Sequence, residues 1–286
     1  MPPPLRKMLF PTDFSPYSKI VLEFLKDLKE IGLEEVGVIF VVNTSKLSTI
    51  NGGFDLEKYI EFEEKRADKE APTLVEKIES EGVKAKILKP YPSGNPVVEI
   101  IKRSSSYDFI SIGARGLSLF KEILLGSVSE GVIRKSKIPV YVFKVKYEAF
   151  GDETVYSKPC GRLFEKILVA YDFSKYSQKC LEYAKYIAEK TNGEIILLHV
   201  DEDESCKIDD LSSVVSDLEG VKSRAFKIFG SPAKTILRTQ KELNASTIFI
   251  GSRGMGLAKS FILGSVSDPV IRMSSVPVFV CKEGEG

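Results

Sequence analysis

The chain is poor in the groups from which metal and thiol chemistry is built. Its 286 residues include one histidine, His199, and four widely spaced cysteines, Cys160, Cys180, Cys206 and Cys281, with no CxxC pair. A zinc site or a Cys/His nucleophile pair has little to work with, and the cysteines read as reduced, small hydrophobic residues. His199 lies in the apolar run Ile195-Ile196-Leu197-Leu198-His199-Val200 and reads as a packed or hydrogen-bonded strand residue. Neither charge is in excess: 41 basic against 40 acidic residues leave +1, where a dedicated nucleic-acid or anionic-membrane binder would carry a basic surplus. No apolar run approaches the ~20 residues needed to cross a bilayer. The opening Met1-Pro2-Pro3-Pro4-Leu5-Arg6-Lys7 leads straight into a strand-like segment with Asp13, without the apolar core of a signal peptide. A cytoplasmic protein with no nucleic-acid or membrane partner is expected.

What the chain does have is a repeat. Lys7-Met8-Leu9-Phe10-Pro11-Thr12-Asp13-Phe14-Ser15 recurs as Lys166-Ile167-Leu168-Val169-Ala170-Tyr171-Asp172-Phe173-Ser174. Residues 113–144 recur without a gap as 251–282, and 18 of those 32 aligned positions are identical. The period is about half the chain, which means a duplicated domain and not a solenoid. The expected division is a first domain over 1–147, a linker over 148–161 and a second domain over 162–286. The linker is assigned because its segment lacks apolar periodicity and carries Gly151-Asp152 and Pro159-Cys160-Gly161.

Each copy alternates strands with helices. In the first, a short buried strand at Met8-Leu9-Phe10 precedes Ser15, a helix cap, with Pro16 at the first helical position. Ile20, Val21, Phe24, Leu25, Leu28 and Ile31 follow at helical spacing, and Gly32 supplies the stop. Residues 36–42 form a β-branched run of the kind covered on both faces. A charged helix over 56–81, a strand at 85–88, a helix opened by Asn95-Pro96, and strands at 109–112 and 140–145 complete the copy. Strands alternating with helices imply parallel pairing through right-handed crossovers. The fold class is therefore α/β: two tandem doubly wound domains, each with a five-stranded parallel sheet. The second copy is shorter between its second and third strands, with room for one modest helix over 201–220.

After the fourth strand, copy one reads Gly113-Ala114-Arg115-Gly116, then nine residues, then Gly126-Ser127; copy two reads Gly251-Ser252-Arg253-Gly254, nine residues, then Gly264-Ser265. Glycine lets backbone approach a ligand and take positive φ. The final Gly-Ser opens a helix whose free N–H groups suit phosphate oxygens, with Ser127 and Ser265 able to cap it or to donate to phosphate. Ligands of open α/β sheets bind beyond the carboxyl ends of the strands, where Asp13 and Asp172 also fall. Turn formation alone would account for one such set; two sets with identical spacing favour a phosphate site. Arg115 and Arg253 either reach phosphates or are solvated loop charges.

The pattern G-x2-G-x9-G-[S/T], the Asp-Phe-Ser after the first strand, and the Ile-Pro-Val or Val-Pro-Val before the fifth resemble the universal stress protein superfamily in its tandem form. In that family the glycine pattern is an ATP-binding signature. The resemblance spans essentially both domains. It implies the strand order 3-2-1-4-5 of the adenine nucleotide alpha hydrolase-like class and ATP or AMP as ligand, with Mg2+ accompanying ATP. By matching position, Asp13 and Asp172 would contact adenosine. Val42 and Val200 would pair the adenine edge through main-chain atoms, with Val41 the alternative one residue away. Gly113, Gly116, Gly126, Ser127, Gly251, Gly254, Gly264 and Ser265 would line ribose and phosphates. The family also pairs two domains through strand five, which a tandem chain could do within itself, with a homodimer as a further option.

Copy two departs from the pattern at Pro269, which stands where copy one has Gly131; lacking an N–H, it suits only the opening of a helix. Its shortened second connection implies a more open pocket. The charged run 57–70 and the repeated Lys121/Lys259 and Arg134/Arg272 read as solvated or helix-end charge, with Tyr59, Ile60 and Phe62 in that run as a weaker reading of a partner surface. With no G-x4-G-K-[S/T] and no base fixed near the glycines, no catalytic residue and no metal site are expected. The resulting expectation is a nucleotide-binding regulatory or stress-response protein; a slow ATPase and a scaffold with empty pockets are the alternatives.

Overall fold

A computed structural model describes residues 4–45, 55–114, 125–150, 153–202, 211–254 and 263–282. The first copy contains β1 (Lys7–Pro11), α1 (Pro16–Lys19), α2 (Leu25–Glu30), β2 (Glu35–Ile39), β3 (Val42–Asn43), α3 (Leu56–Ser80), β4 (Lys84–Ile87), β5 (Ser93–Gly94), α4 (Pro96–Arg103), β6 (Phe109–Ala114), α5 (Ser127–Lys135) and β7 (Val140–Lys144). A hairpin of β8 (Lys146–Phe150) and β9 (Glu153–Ser157) follows. The second copy contains β10 (Lys166–Ala170), α6 (Lys175–Thr191), β11 (Glu194–Asp201), α7 (Ser212–Ser216), β12 (Ser223–Phe229), α8 (Pro232–Glu242), β13 (Thr247–Gly251), α9 (Ser267–Met273) and β14 (Val278–Cys281).

Ten strands form one sheet in the order β12-β11-β10-β13-β14-β7-β6-β1-β2-β4. Each half is a parallel 3-2-1-4-5 sheet, as the alternating pattern and the family resemblance imply. The halves join where β14 runs antiparallel to β7, with Val278 opposite Val142, Phe279 opposite Tyr141 and Val280 opposite Val140. Because Tyr141 and Phe279 are equivalent positions of the repeat, the approximate two-fold axis passes through that pair. Strand alternation sends Met8 and Phe10 to one face and Leu9 to the other. Each face carries one apolar cluster shared by both copies, the first under α1, α2, α3, α6 and α7 and the second under α4, α5, α8 and α9.

Several local features differ from the sequence expectation. The first helix is broken: a 3-10 stretch, Ile20–Phe24, separates α1 from α2, although Ser15 caps it and Pro16 opens it as expected. The β-branched run does not make one strand, since β2 stops at Ile39 and Val42 turns aside to pair with Ser93. The segment expected as a linker for want of apolar periodicity carries most of the β8–β9 hairpin. Tyr156 of that hairpin packs edge-on against Tyr17, and Lys158 and the Leu163 N–H both bond the buried Asp27 carboxylate. The cysteines are not all thiols: Cys180 and Cys281 form a disulfide that ties α6 to β14, with Cα atoms 5.6 Å apart. A separation of 101 positions along the chain hides that adjacency from the sequence. Cys160 is the free cysteine among the described residues, and burial pushes its thiol up to about 12. Cys206 lies outside them.

Candidate functional site

The chain turns sharply at the carboxyl end of each first strand. Phe14 and Phe173 both take left-handed backbone, at φ 63° and 61°, a conformation that costs energy outside glycine and that clusters at functional sites. The turn sets Asp13 at the mouth of a cleft of about 780 Å³. Its floor comes from the ends of β1 and β6, one wall from Ile39 at the end of β2 with Phe40 and Val41 beyond it and α3, and the other from the start of α5. This is the crevice between β1 and β6 where the strand order reverses. Burial alone would push the Asp13 carboxyl up, but hydrogen bonds from Ser15 and Ser18 outweigh it and hold Asp13 below the ordinary carboxylate range.

The predicted residues divide at this cleft. Asp13, Gly113 and Gly126 line it. Arg115 and Gly116, together with Lys121 and Lys259, lie outside the described residues. Val42 does not line it: its side chain is fully buried and its N–H donates to the Pro92 carbonyl at 2.8 Å, while Val41 faces the cleft. The strand registers explain the slip. Pro11 pairs with Ile39 as Ala170 pairs with Leu198, so the counterpart of Val200 is Val41 and that of Val42 is Asp201. Ser127 is not the cap of α5; the cap position is Gly126, without a side-chain bond, and Ser129 one turn in is the serine that lines the cleft.

The two described motif glycines of copy one are glycines for different reasons. A Cβ on Gly113 would lie 1.8 Å from the Tyr17 carbonyl oxygen, so close packing of α1 on β6 requires that glycine whether or not a ligand binds. Gly126 has ordinary backbone at φ −62°, ψ 152°, and the nearest atom to a Cβ there is Ser129 Oγ at 4.0 Å. Nothing among the described residues demands glycine at 126. The residue sits where a side chain would project at the N-terminus of α5, whose free N–H groups and dipole attract anions.

Copy two assembles its counterparts more tightly. Asp172 Oδ1 accepts from the Ser174 N–H and hydroxyl at 3.2 and 2.6 Å, and a Cβ on Gly254 would lie 2.7 Å from Asp172 Oδ2. The Gly264 N–H bonds the Ser252 carbonyl at 3.0 Å, and a Cβ there would meet Ser267 Oγ at 3.3 Å. Ser265 lies in a turn, and α9 starts two residues later than α5, at Ser267, with Pro269 in its first turn. Arg253 rests on Tyr176, its carbon Cζ 6.0 Å from the ring centre. Val200 lies in β11 beside Ile228. His199 takes the place of Phe40: Nδ1 meets the Tyr171 carbonyl at 2.8 Å, and Nε2 meets Asp201, which also binds Lys227 at 2.7 Å. At Gly264 the described residues leave less space than at Gly126.

Sequence reasoning missed the α3 wall. Tyr59, Glu63 and Arg66 line the cleft, although their run reads as a solvated helix face. Arg134 and Arg272 are helix-end charges as expected, in the last turns of α5 and α9, but they do more than cap those ends. They interleave with Glu130 and Asp268 across the two-fold axis, Arg272 reaching Glu130 at 3.1 Å.

Residues 4–144, 163–219 and 207–282 match the universal stress protein family. The chain belongs to that family. The universal stress protein MJ0577 of Methanocaldococcus jannaschii is 37% identical over 155 residues, a stretch covering 49% of this chain and 96% of that one. The universal stress protein Mb2028c of Mycobacterium bovis is 26% identical over 206 residues, 66% of each chain. A crystal structure of a universal stress protein from Archaeoglobus fulgidus is similar over 97% of this chain and 98% of its own, with a TM-score of 0.82 and 48% identity. The family's domain is thus present twice, and the cleft lies in the first of the two. No helix among the described residues is long and apolar enough to cross a membrane.

Proposed function

We propose that this universal stress protein binds an adenine nucleotide, ATP or AMP, in the first copy's cleft and uses occupancy to regulate partners and not to turn over substrate. The observation that carries the proposal is Gly126: the described residues leave room for a side chain at the mouth of α5, and position 126 carries none. A phosphate chain fills that space and takes the free N–H groups of the first turn. Asp13, charged at neutral pH, then faces the nucleoside, and main-chain groups of Val41 replace those of Val42 at the base edge. Mg2+ bound with ATP would be held chiefly by phosphate oxygens and water, since among the described residues no group of three or more His, Cys, Asp or Glu is placed to hold a metal. The second copy offers Asp172, Gly254 and Gly264 as a tighter and weaker site.

Titration calorimetry of the full chain with ATP tests this. Binding at the first cleft should vanish in Gly126→Val while the melting temperature stays within a degree or two of the parent. Undiminished binding in that variant would remove the phosphate from α5. A turnover number near the ~10 s⁻¹ typical of enzymes would overturn the regulatory reading.

A further inference from the structure

Arg66 is a charged residue in the middle of an exposed helix, yet it is held on three sides. Glu63, one turn back, accepts from its Nε at 3.2 Å and its Nη2 at 2.6 Å. Nη1 points to the Asp13 carbonyl oxygen at 3.5 Å. One face of the guanidinium covers the aromatic pair Phe14 and Phe40, with Cζ 5.8 and 5.3 Å from the ring centres, and those two rings are 5.2 Å apart. The helix is itself pinned. Asp68 accepts from Lys89 at 2.5 Å and from Tyr91 at 3.0 Å, and Glu70 accepts from Lys19 at 2.9 Å. A guanidinium fixed at its edge by a carboxylate and on one face by aromatic rings has its other planar face left for the cleft it lines.

The position of α3 decides what that face can meet. It packs beside β3 and β4, on the opposite side of β1 from β6 and α5. A nucleotide with its phosphates at Gly126 therefore brings its base, and not its phosphates, to the α3 wall. We propose that Arg66 is the stacking platform for the nucleoside base in the first cleft, with Glu63 as the residue that positions it. The inference rests on the nucleotide reading above and adds a specificity element to it. A planar cation over a π-face favours flat aromatic bases and is indifferent to phosphate number. Copy two has no such platform among the described residues; His199, Asp201 and Lys227 stand at that wall instead.

The test is calorimetric titration of the full chain and its variants with adenosine, AMP and ATP. Arg66→Ala should weaken all three by the same factor, on the order of tenfold. Arg66→Lys should recover little of it, since an ammonium keeps the charge and loses the plane. The salt dependence of ATP binding should not change. Unaltered affinity in Arg66→Ala overturns the proposal, as does a loss that grows from adenosine to ATP, which would make Arg66 a phosphate ligand. If the wild-type chain binds none of the three, the nucleotide reading itself fails, and the two failures are told apart by the parent titration alone.

Discussion

Gly126 and Gly264 hold the same place in the repeat and have different surroundings. At Gly126 the chain opens onto a cleft and the helix begins at once; at Gly264 the backbone is bonded to Ser252, the neighbouring Ser267 is buried, and the helix starts late because of Pro269. Gly113 and Gly251 are alike, because both lie under a helix that leaves no room for a side chain: the Tyr17 carbonyl in one copy, Tyr176 Cβ at 2.8 Å in the other. The same glycine motif therefore mixes two demands. One is architectural and is met in both halves. The other concerns a ligand and is met with open space only in the first.

That separation can be broken by substitution. The largest structural effect is expected from Gly113→Ala, where a Cβ would lie 1.8 Å from the Tyr17 carbonyl oxygen and must push α1 off β6; the loss should reach about 3 kcal/mol or prevent folding, whereas Gly251→Ala, with a milder overlap of 2.8 Å against Tyr176 Cβ and 3.0 Å against the Arg253 carbonyl oxygen, should cost nearer 1 kcal/mol in urea unfolding. Similar losses at both positions would mean that the two helices are equally free to move.

The two copies also exchange lysines. Lys144, at the end of β7, donates to the Ile271 carbonyl at the end of α9, and Lys282 after β14 donates to Ile133 of α5. Burial lowers Lys144 to about 7 and Lys282 to about 8, from an ordinary 10.5. Between each lowered value and 10.5 the unfolded chain holds a proton that the folded chain has released, so this contribution to stability rises with pH through that window. It is lost as pH falls to the lowered value. The rise is at most ~1.4 kcal/mol per pH unit for each lysine. Lys144→Met should remove its share between pH 7 and 9, measured as the change in stability of wild type minus variant. Lys282→Met should remove less, because its window opens later. Parallel pH profiles for wild type and Lys144→Met would contradict the burial argument.

The smallest contrast lies at the helices that follow the third strands. Asn95 accepts from the Val97 and Val98 N–H groups at 3.0 and 3.3 Å, while Ser231 at the same place makes no side-chain cap. Asn95→Ala should cost about 1 kcal/mol and Ser231→Ala close to nothing. Equal costs would mean that the serine caps its helix in solution.

Much of this was legible because strand and helix periodicity, cap residues and repeat spacing are local signals. The sheet order came through the family resemblance. Arg66 was not legible: its spacing on α3 is that of a solvated face, and only the return of that helix over Phe14 and Phe40 gives it a role. Val41 was displaced by one because β2 ends at Ile39, where the apolar, strand-favouring run Ile39-Phe40-Val41-Val42 continues without a turn signal. The Cys180–Cys281 bond and the β8–β9 hairpin depend on contacts between segments far apart in the chain or without apolar alternation. Gly126 was named from its motif, but what distinguishes it from Gly113 is empty space, which a sequence does not record.

The central claim is that the space at Gly126 belongs to a nucleotide. The most direct measurement is to purify the chain and its Gly126→Val variant without added nucleotide, saturate each with ATP, remove the excess, denature them, and count the nucleotide released. One adenine nucleotide per wild-type chain, absent from an equally well-folded variant, is the predicted result. Equal release from both chains, or none from the wild type, would contradict it.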